Sequence, residues 1–280
     1  MIQSSTTYHE TMQNWHDERE AALKAPGGWL TLAGLFWLEE GNNSFGSDPG
    51  NDIVFPTGKA PGFMGSFLLK NGRISVELLP QANVTSNGRS VTHLELKHEA
   101  EEGGPTILEH GLLTWYIIKR GDLFAIRLKD LQSSYLAQFN GIGTYPWNPA
   151  WRVEATFVPY DPPKTVNVPT MLGTFTPTHV PGALVFNMGG QEHRLDVHHS
   201  LDHPSIVYAD ATTAKETYGG GRFLLIDQIN PNGTTIVDFN KSINPPCAFS
   251  PFATCPLPTP ENRLPIPIHA GELAYHYSLS

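Results

Sequence analysis

The chain has 280 residues, 40% of them hydrophobic and 10% aromatic, and a formal net charge of -9. That is enough apolar material for one large all-β domain or two smaller ones, so disorder is not the default. The 18 Lys and Arg are scattered with no basic run, which argues against a nucleic-acid partner, because neutralising phosphates needs clustered cations.

The chain opens with "MIQSSTTYHETMQNWHDERE", polar and acidic. It reads as neither a secretion signal nor an Arg-rich transit peptide. No apolar stretch approaches the roughly 20 residues that cross a bilayer. The expectation is a soluble cytoplasmic protein with no membrane partner. Tyr8 to Lys24 predicts a helix, with Met12, Trp15, Arg19 and Leu23 at helical spacing and Pro26-Gly27-Gly28 ending it. "WLTLAGLFWL", residues 29–38, is apolar all round and predicts a buried short helix or turn. Residues 1–40 thus read as an N-terminal helical segment, with Trp15 and Trp29 as its packing residues.

After residue 40, short apolar or alternating runs are separated by Gly, Pro, Asn and Asp. Strands are expected near 65–70, 73–79, 91–97, 113–119, 123–129, 151–159, 165–168, 173–176, 183–188, 193–197, 205–209, 222–227 and 234–239. Asn71-Gly72 is the preferred two-residue hairpin turn, and "KRGDL" at 119–123 is a second tight turn. Many short strands at close spacing predict a mainly β, antiparallel sandwich or barrel-like fold with an N-terminal α-helix. The pattern lapses at Asp161-Pro162-Pro163, which divides a first β subdomain, 41–160, from a second, 161–280, unless the two run together as one domain.

Two resemblances can be read from motifs. Phe45-Gly46 followed by Asn51-Asp52-Ile53-Val54-Phe55-Pro56 resembles the start of a forkhead-associated domain. Ser47 stands where that family has Arg, and "APGFMGS" replaces its Ser-Arg-x-x-His stretch. The cations that bind phosphate are therefore missing, and the likeness implies a turn shape without phosphopeptide reading. Four further segments are similar to the family called domain of unknown function 1684: "WHDEREAALKAPGGWLTLAGLFWLEEGNNSFGS" at 15–47, "KRGDLFAIRLKD" at 119–130, "YADATTAKETYGGGRFL" at 208–224, and "DFNKSINPPCAFSPFATCPLPTPENRL" from 238, continued to Glu272. The resemblance names a family and implies no reaction.

The candidate chemistry sits in the last two of these segments. Asp210, Tyr218 and Arg222 surround the run Gly219-Gly220-Gly221, which lets backbone approach another backbone or a ligand. Asp238 and Asn240 lie two apart on one strand face. A hairpin of 222–227 with 234–240 would bring Arg222 to Asp238. Arg222 would hold an anionic group, and Asp238 or Glu272 would act as acid or base. Asp210, Tyr218, Arg222, Asn240 and Asn262 are the expected ligand-binding residues. The alternative is a satisfied buried network that only ties loops together.

Pro245, Pro246, Pro251, Pro256, Pro258 and Pro260 make the stretch from 238 a stiff strap. Asn240, Asn244 and Asn262 can supply its missing backbone partners, and Phe249 and Phe252 can anchor it. Cys247 and Cys255 lack the paired spacing of a zinc site and are expected as buried thiols rather than a disulfide, with a nucleophile beside His269 a lesser alternative. His193, His198, His199 and His203, with Asp196 and Asp202, match no metal spacing and read as a solvated segment. No metal or cofactor is assigned, and nucleotide fingerprints and a nucleophile elbow are lacking. The function left open is a small-molecule enzyme, with hydrolysis as one candidate reaction, acting on an anionic or polar ligand, or a non-catalytic binding module, or a structural or protein-interaction β domain.

Overall fold

The computed structural model describes residues 5–202 and 204–275. The chain is mainly β and divides into two compact units. Residues 24–139 form one; the described residues up to 23 and from 140 onward form the other. Helix α1, Ser5–Lys24, opens the chain. It buries Tyr8, Met12 and Leu23, spaced by four and then eleven residues along one face. Trp15, expected to pack it, is only half-buried, and Trp29 belongs to the other unit.

In the unit of residues 24–139 the strands are β1 (Leu32–Trp37), β2 (Gly41–Gly46), β3 (Ile53–Val54), β4 (Gly65–Lys70), β5 (Arg73–Leu78), β6 (Thr85–Ser86), β7 (Arg89–Ser90), β8 (His93–Leu96), β9 (Leu108–His110), β10 (Leu113–Arg120) and β11 (Leu123–Asp130), followed by the short helix α2 (Ser134–Gln138). They pair as one sheet in the order β1-β11-β10-β9-β6-β7 and another in the order β3-β2-β4-β5-β8. One apolar core joins residues of both sheets, with Phe45, Phe55, Phe67 and Trp115 fully buried at its centre. Phe45 and Phe67 rings lie 4.4 Å apart and Phe55 meets Trp115 edge-on at 5.2 Å. The unit is a β-sandwich. The Asn71-Gly72 turn has both residues at positive φ, 52° and 76°, as a type I′ hairpin requires. The predicted helix or turn at 29–38 is instead a single 3-10 turn, Trp29–Thr31, running into β1. Pairing along β11 lets that wholly apolar run hold an extended backbone.

In the other unit the strands are β12 (Arg152–Pro169), β13 (Phe175–Met188), β14 (Gln191–Val197), β15 (Ser205–Tyr208), β16 (Arg222–Leu225), β17 (Thr234–Asp238) and β18 (Ser242–Ile243). Sheet order is β14-β13-β12-β17 for four of them and β15-β16-β18 for the rest. Leu184, Phe186, Leu195, Ile206, Leu224 and Phe239 are among the residues that join the two sheets in one core. The lapse at Asp161-Pro162-Pro163 lies within β12, where the register to β13 shifts between Pro159 and Lys164. Prolines cannot donate to the ladder, so the strand bulges there and then resumes. For the same reason four predicted strands fuse into the two long strands β12 and β13.

From Phe239 onward the chain runs as a strap with 3-10 turns at Phe239–Lys241, Pro246–Ala248 and Pro260–Asn262. Phe249 is its fully buried anchor and Phe252 is half-buried. Cys247 and Cys255 are joined in a disulfide, against the expectation of two thiols. The Pro246–Ala248 turn folds the strap back until their Cα atoms stand 6.2 Å apart, within disulfide span. With both sulfurs bonded, the reading of either cysteine as a nucleophile falls.

Candidate functional site

The seven predicted site residues lie in the unit formed by α1 and residues 140–275, gathered into separate polar knots. The first is built on Arg222, the opening residue of β16, cross-strand from Tyr208. Its side chain is 1% exposed. The guanidinium donates to Asp210 Oδ2 at 2.5 Å, to the Ile268 carbonyl at 3.1 Å and to the Ala270 carbonyl, and it lies 5.3 Å from the centre of the Tyr208 ring. The other oxygen of Asp210 accepts from the backbone N–H and the hydroxyl of Thr212. A buried ion pair needs this many partners to offset desolvation. Of the glycine run it is Gly221 that serves close approach to another backbone: it has φ 84°, and a Cβ there would stand 2.6 Å from the Tyr208 carbonyl. Tyr218 packs its ring over Gly220. Burial pushes the Tyr208 phenol up to about 12, and its hydroxyl meets Ser242 Oγ at 2.7 Å.

The second knot is centred on Asp238, at the end of β17. The Tyr8 hydroxyl of α1 donates to both carboxylate oxygens, at 3.0 and 2.9 Å. Arg152 Nε stands 3.2 Å away, on the residue paired with Asp238 across β12 and β17. Asn240 donates its backbone N–H and its side-chain amide to Asp238 Oδ1, and its amide also exchanges two hydrogen bonds with the backbone of Asn148. The expected Arg222–Asp238 contact does not form. β17 pairs with β12, and β16 with β15 and β18, so the two residues belong to different sheets.

Glu272 forms the third knot and is fully buried. Arg19 Nε of α1 donates to Oε1 at 3.0 Å, and the Asn244 N–H donates to Oε2 at 2.6 Å. Burial raises the pKa of this carboxyl above its ordinary value, with Arg19 opposing. The first and third knots share the segment 268–272, threaded beside Ser242, which accepts the Glu272 N–H. Asn262 is the fourth centre. Its amide accepts from the Asp196 N–H at 2.7 Å and donates to the Asp196 carbonyl at 3.1 Å, and it stands 3.4 Å from His198 Nε2.

The structure therefore joins Asp210 with Arg222 and Asp238 with Asn240, and leaves Glu272 and Asn262 in centres of their own. A groove of about 590 Å³ is lined by Glu154, Thr156, Val185, Asn187 and Ile236, among others, and by none of the seven. Sequence reasoning passed over Tyr8, Arg152, Tyr145 and Glu216 as site residues. Arg19 did carry a signal: a cation placed on the buried face of a helix calls for a buried acceptor.

A more accessible group lies beside the first knot. The Tyr145 hydroxyl donates to Glu216 Oε2 at 3.0 Å, and His269 Nε2 is 3.8 Å from Glu216 Oε1. The Tyr145 and His269 rings stand 5.6 Å apart. Glu216 is 51% and His269 52% exposed. Three backbone segments converge here: Tyr145 N–H bonds the Gly271 carbonyl, and Ala274 N–H bonds the Glu216 carbonyl. Burial and then Glu216 push the Tyr145 phenol up to about 12, with Arg222 pulling the other way. Among the described residues no three His, Cys, Asp or Glu side chains are placed to hold a metal ion. His198 is buried rather than solvated, and His203 lies outside the described residues.

Fold and site define a mainly β protein whose predicted site residues bond one another and the chain itself. Residues 137–273 match the model of the family described as "Protein of unknown function (DUF1684)", the family read from the sequence motifs. The matched span holds all seven predicted residues together with Tyr145, Glu216 and His269; it leaves out Tyr8, Arg19 and the segments 15–47 and 119–130. No curated protein matches the chain. An uncharacterized protein of Haloarcula marismortui, solved by solution NMR, is similar at 28% identity over 49% of this chain and 78% of its own, with a TM-score of 0.41. No helix among the described residues is long and apolar enough to cross a membrane.

Proposed function

We propose that the unit made of α1 and residues 140–275 is a binding module for a small polar ligand carrying an amine, with Glu216 as its anchor between Tyr145 and His269. The seven predicted residues are the scaffold that fixes this surface. One observation supports the reading above the rest: the carboxylates of Asp210, Asp238 and Glu272 are filled by protein donors, while Glu216 is half exposed and keeps capacity for a further donor. A carboxylate flanked by a phenol and an imidazole recognises an ammonium by charge and by ring faces. The disulfide favours an oxidising compartment over the cytosol.

The test is a thermal-shift titration with ethanolamine, lysine methyl ester and spermidine on wild type and Glu216→Gln. A ligand that binds only the native state stabilises it by about 2.7 kcal/mol at a hundredfold excess over Kd, and so raises the melting temperature with concentration. A rise with any of the three amines that Glu216→Gln abolishes supports the module. No rise with any amine, or an equal rise in the variant, overturns it.

A second reading has its own observation. His269, Glu216 and Tyr145 are three proton-carrying groups in sequence, which favours acid–base chemistry, including hydrolysis. Turnover of small esters that disappears in His269→Ala, with the fold intact, would move the assignment from binding to catalysis.

A further inference from the structure

We propose that Asn262, Asp196 and His198 form an acid-labile latch that ties the strap to edge strand β14 at neutral pH and releases it when His198 takes a proton. β14 stands at the end of its sheet, so the backbone of its outer side needs a partner. Asn262 supplies one. Its side-chain amide accepts the Asp196 N–H and donates to the Asp196 carbonyl, as a neighbouring strand would. Those two bonds fix which way the amide faces: the oxygen must meet the N–H and the nitrogen must meet the carbonyl. The second hydrogen of the same nitrogen is left for His198 Nε2, 3.4 Å away.

His198 Nε2 must therefore present a lone pair, which places the proton of the neutral ring on Nδ1. Adding a proton to Nε2 sets two donors against each other. Turning the amide over does not relieve this, because it would oppose the oxygen to the Asp196 carbonyl and the nitrogen to the Asp196 N–H. Asn262 and His198 are both buried, so neither atom can turn to water while the latch is closed.

The groups around the ring come from each element packed on it. On β14, Asp196 lies two residues back, and its carboxylate accepts from Tyr160 of β12 at 2.6 Å, with Lys164 and Arg194 over the Tyr160 ring. His199 follows, ring to ring at 6.3 Å, its N–H bound to the His179 carbonyl of β13. The strap brings Glu261 and Arg263, both exposed, on either side of Asn262. Across the bridge β15 brings Ser205 and no charge; its Tyr208 turns to Ser242. Burial holds the His198 imidazole below its ordinary value, His199 adds to this, and Asp196 opposes both. For a histidine depressed in the fold, the native state binds fewer protons than the unfolded one. Its contribution to stability is complete above the unfolded pKa of about 6.5 and is lost as pH falls below it.

Hydrogen exchange of the full chain tests the latch, read as protection factors for residues 259–264 and for the Asp196 N–H at about pH 7.5 and about pH 5.0. In wild type the protection should fall by up to about tenfold per pH unit below roughly 6.5; in His198→Gln, which carries no titrating ring, it should stay level. An unchanged wild type, or an equal fall in the variant, overturns the latch. Should the variant fail to fold, NMR of the wild-type imidazole decides: the Nδ1–H tautomer at neutral pH supports the latch and the Nε2–H tautomer overturns it.

Discussion

The two units bury charge to different extents: residues 24–139 bury Asp130, paired with Lys59, at the margin of an apolar core, and the other unit buries several charges. Residues 24–139 fill their core with Phe45, Phe55, Phe67 and Trp115. The unit of α1 and residues 140–275 has an apolar core too, but it also buries Arg222, Asp210 and Glu272, charged groups with exposures below 10%. Apolar burial is non-directional and tolerates repacking. A buried charge is held by particular atoms, and removing one partner leaves the other stranded. The first unit should therefore answer to changes of volume, and the second to changes of partner.

The largest expected effect tests that contrast directly. Arg222→Ala should cost about 3–5 kcal/mol in chemical denaturation, because Asp210 is left as a buried charge with only Thr212 to meet it. Trp115→Ala should cost a similar amount, about 3–5 kcal/mol, for a different reason: a cavity. The repairs should differ. Arg222→Met with Asp210→Leu should recover much of the loss, since apolar side chains of similar size can replace an ion pair. If the double variant is as unstable as Arg222→Ala, the carbonyls of Ile268 and Ala270, left without the guanidinium, matter more than the charge pair.

The same contrast explains what could be read from sequence. In the sandwich β4, β5, β8, β10 and β11 were legible because period-2 alternation and the Asn71-Gly72 turn are local, whereas β1 has the look of a helix or turn and β2, β3, β6, β7 and β9 are too short or too irregular to show a period. The polar knots were legible only in part of their membership, without Tyr8, Arg19 and Arg152, and were opaque in pairing. Arg222 and Asp238 announced themselves as charged residues at the ends of apolar runs, and Glu272 by its place in the family-like segment, yet no local pattern says which strands are neighbours. Asp238 found Tyr8, 230 positions away, and Glu272 found Arg19, 253 away. Exposure along β12 blurred its alternation, so its bulge read as a boundary between domains. The two cysteines were read as thiols from an assumed compartment, and the turn that brings them together leaves no periodic trace.

Arg19→Met sharpens the comparison at the fully buried carboxyl. We expect a loss of about 3 kcal/mol at neutral pH, at the low end for a broken buried pair because Glu272 can take up a proton. The sign with pH follows from the raised pKa. The native state holds the proton more tightly than the unfolded state, so above the ordinary value of 4.5 the contribution of this group to stability falls as pH rises. Losing the Arg19 charge raises the pKa further and extends the fall to higher pH. Denaturation at a series of pH values should show that longer decline in Arg19→Met and a flatter profile in Glu272→Gln. Identical profiles in all three would remove Glu272 from the pH response.

The disulfide closes a short loop, with a sequence separation of 8. Its removal in Cys247→Ser with Cys255→Ser should cost about 2–3 kcal/mol by loop entropy. Thiol titration of the denatured, unreduced protein should find no free sulfhydryl, and two after reduction. Two free sulfhydryls before reduction would restore the thiol reading and withdraw the argument for an oxidising compartment.

The smallest effect is expected where a charge keeps other partners. Tyr8→Phe removes one donor from Asp238, which retains Arg152 at 3.2 Å and both donors of Asn240. The cost should be about 1–2 kcal/mol rather than the larger loss of a stranded charge. The pH dependence separates this from a packing effect, because phenylalanine keeps the ring and loses only the hydroxyl. Burial, then the Asp238 charge, raises the Tyr8 phenol far above its ordinary 10.0. The neutral form is favoured in the fold, so this group stabilises fully below about pH 10 and loses that contribution as pH rises further. Tyr8→Phe should therefore narrow its gap from wild type above about pH 10, by alkaline denaturation. Tyr145 and Tyr208, also shifted upward, leave a residual slope in both proteins. A gap that stays constant with pH would mean that the hydroxyl contributes by filling space, and α1 would then dock through Met12 and Leu23 as the sandwich strands do, by volume alone.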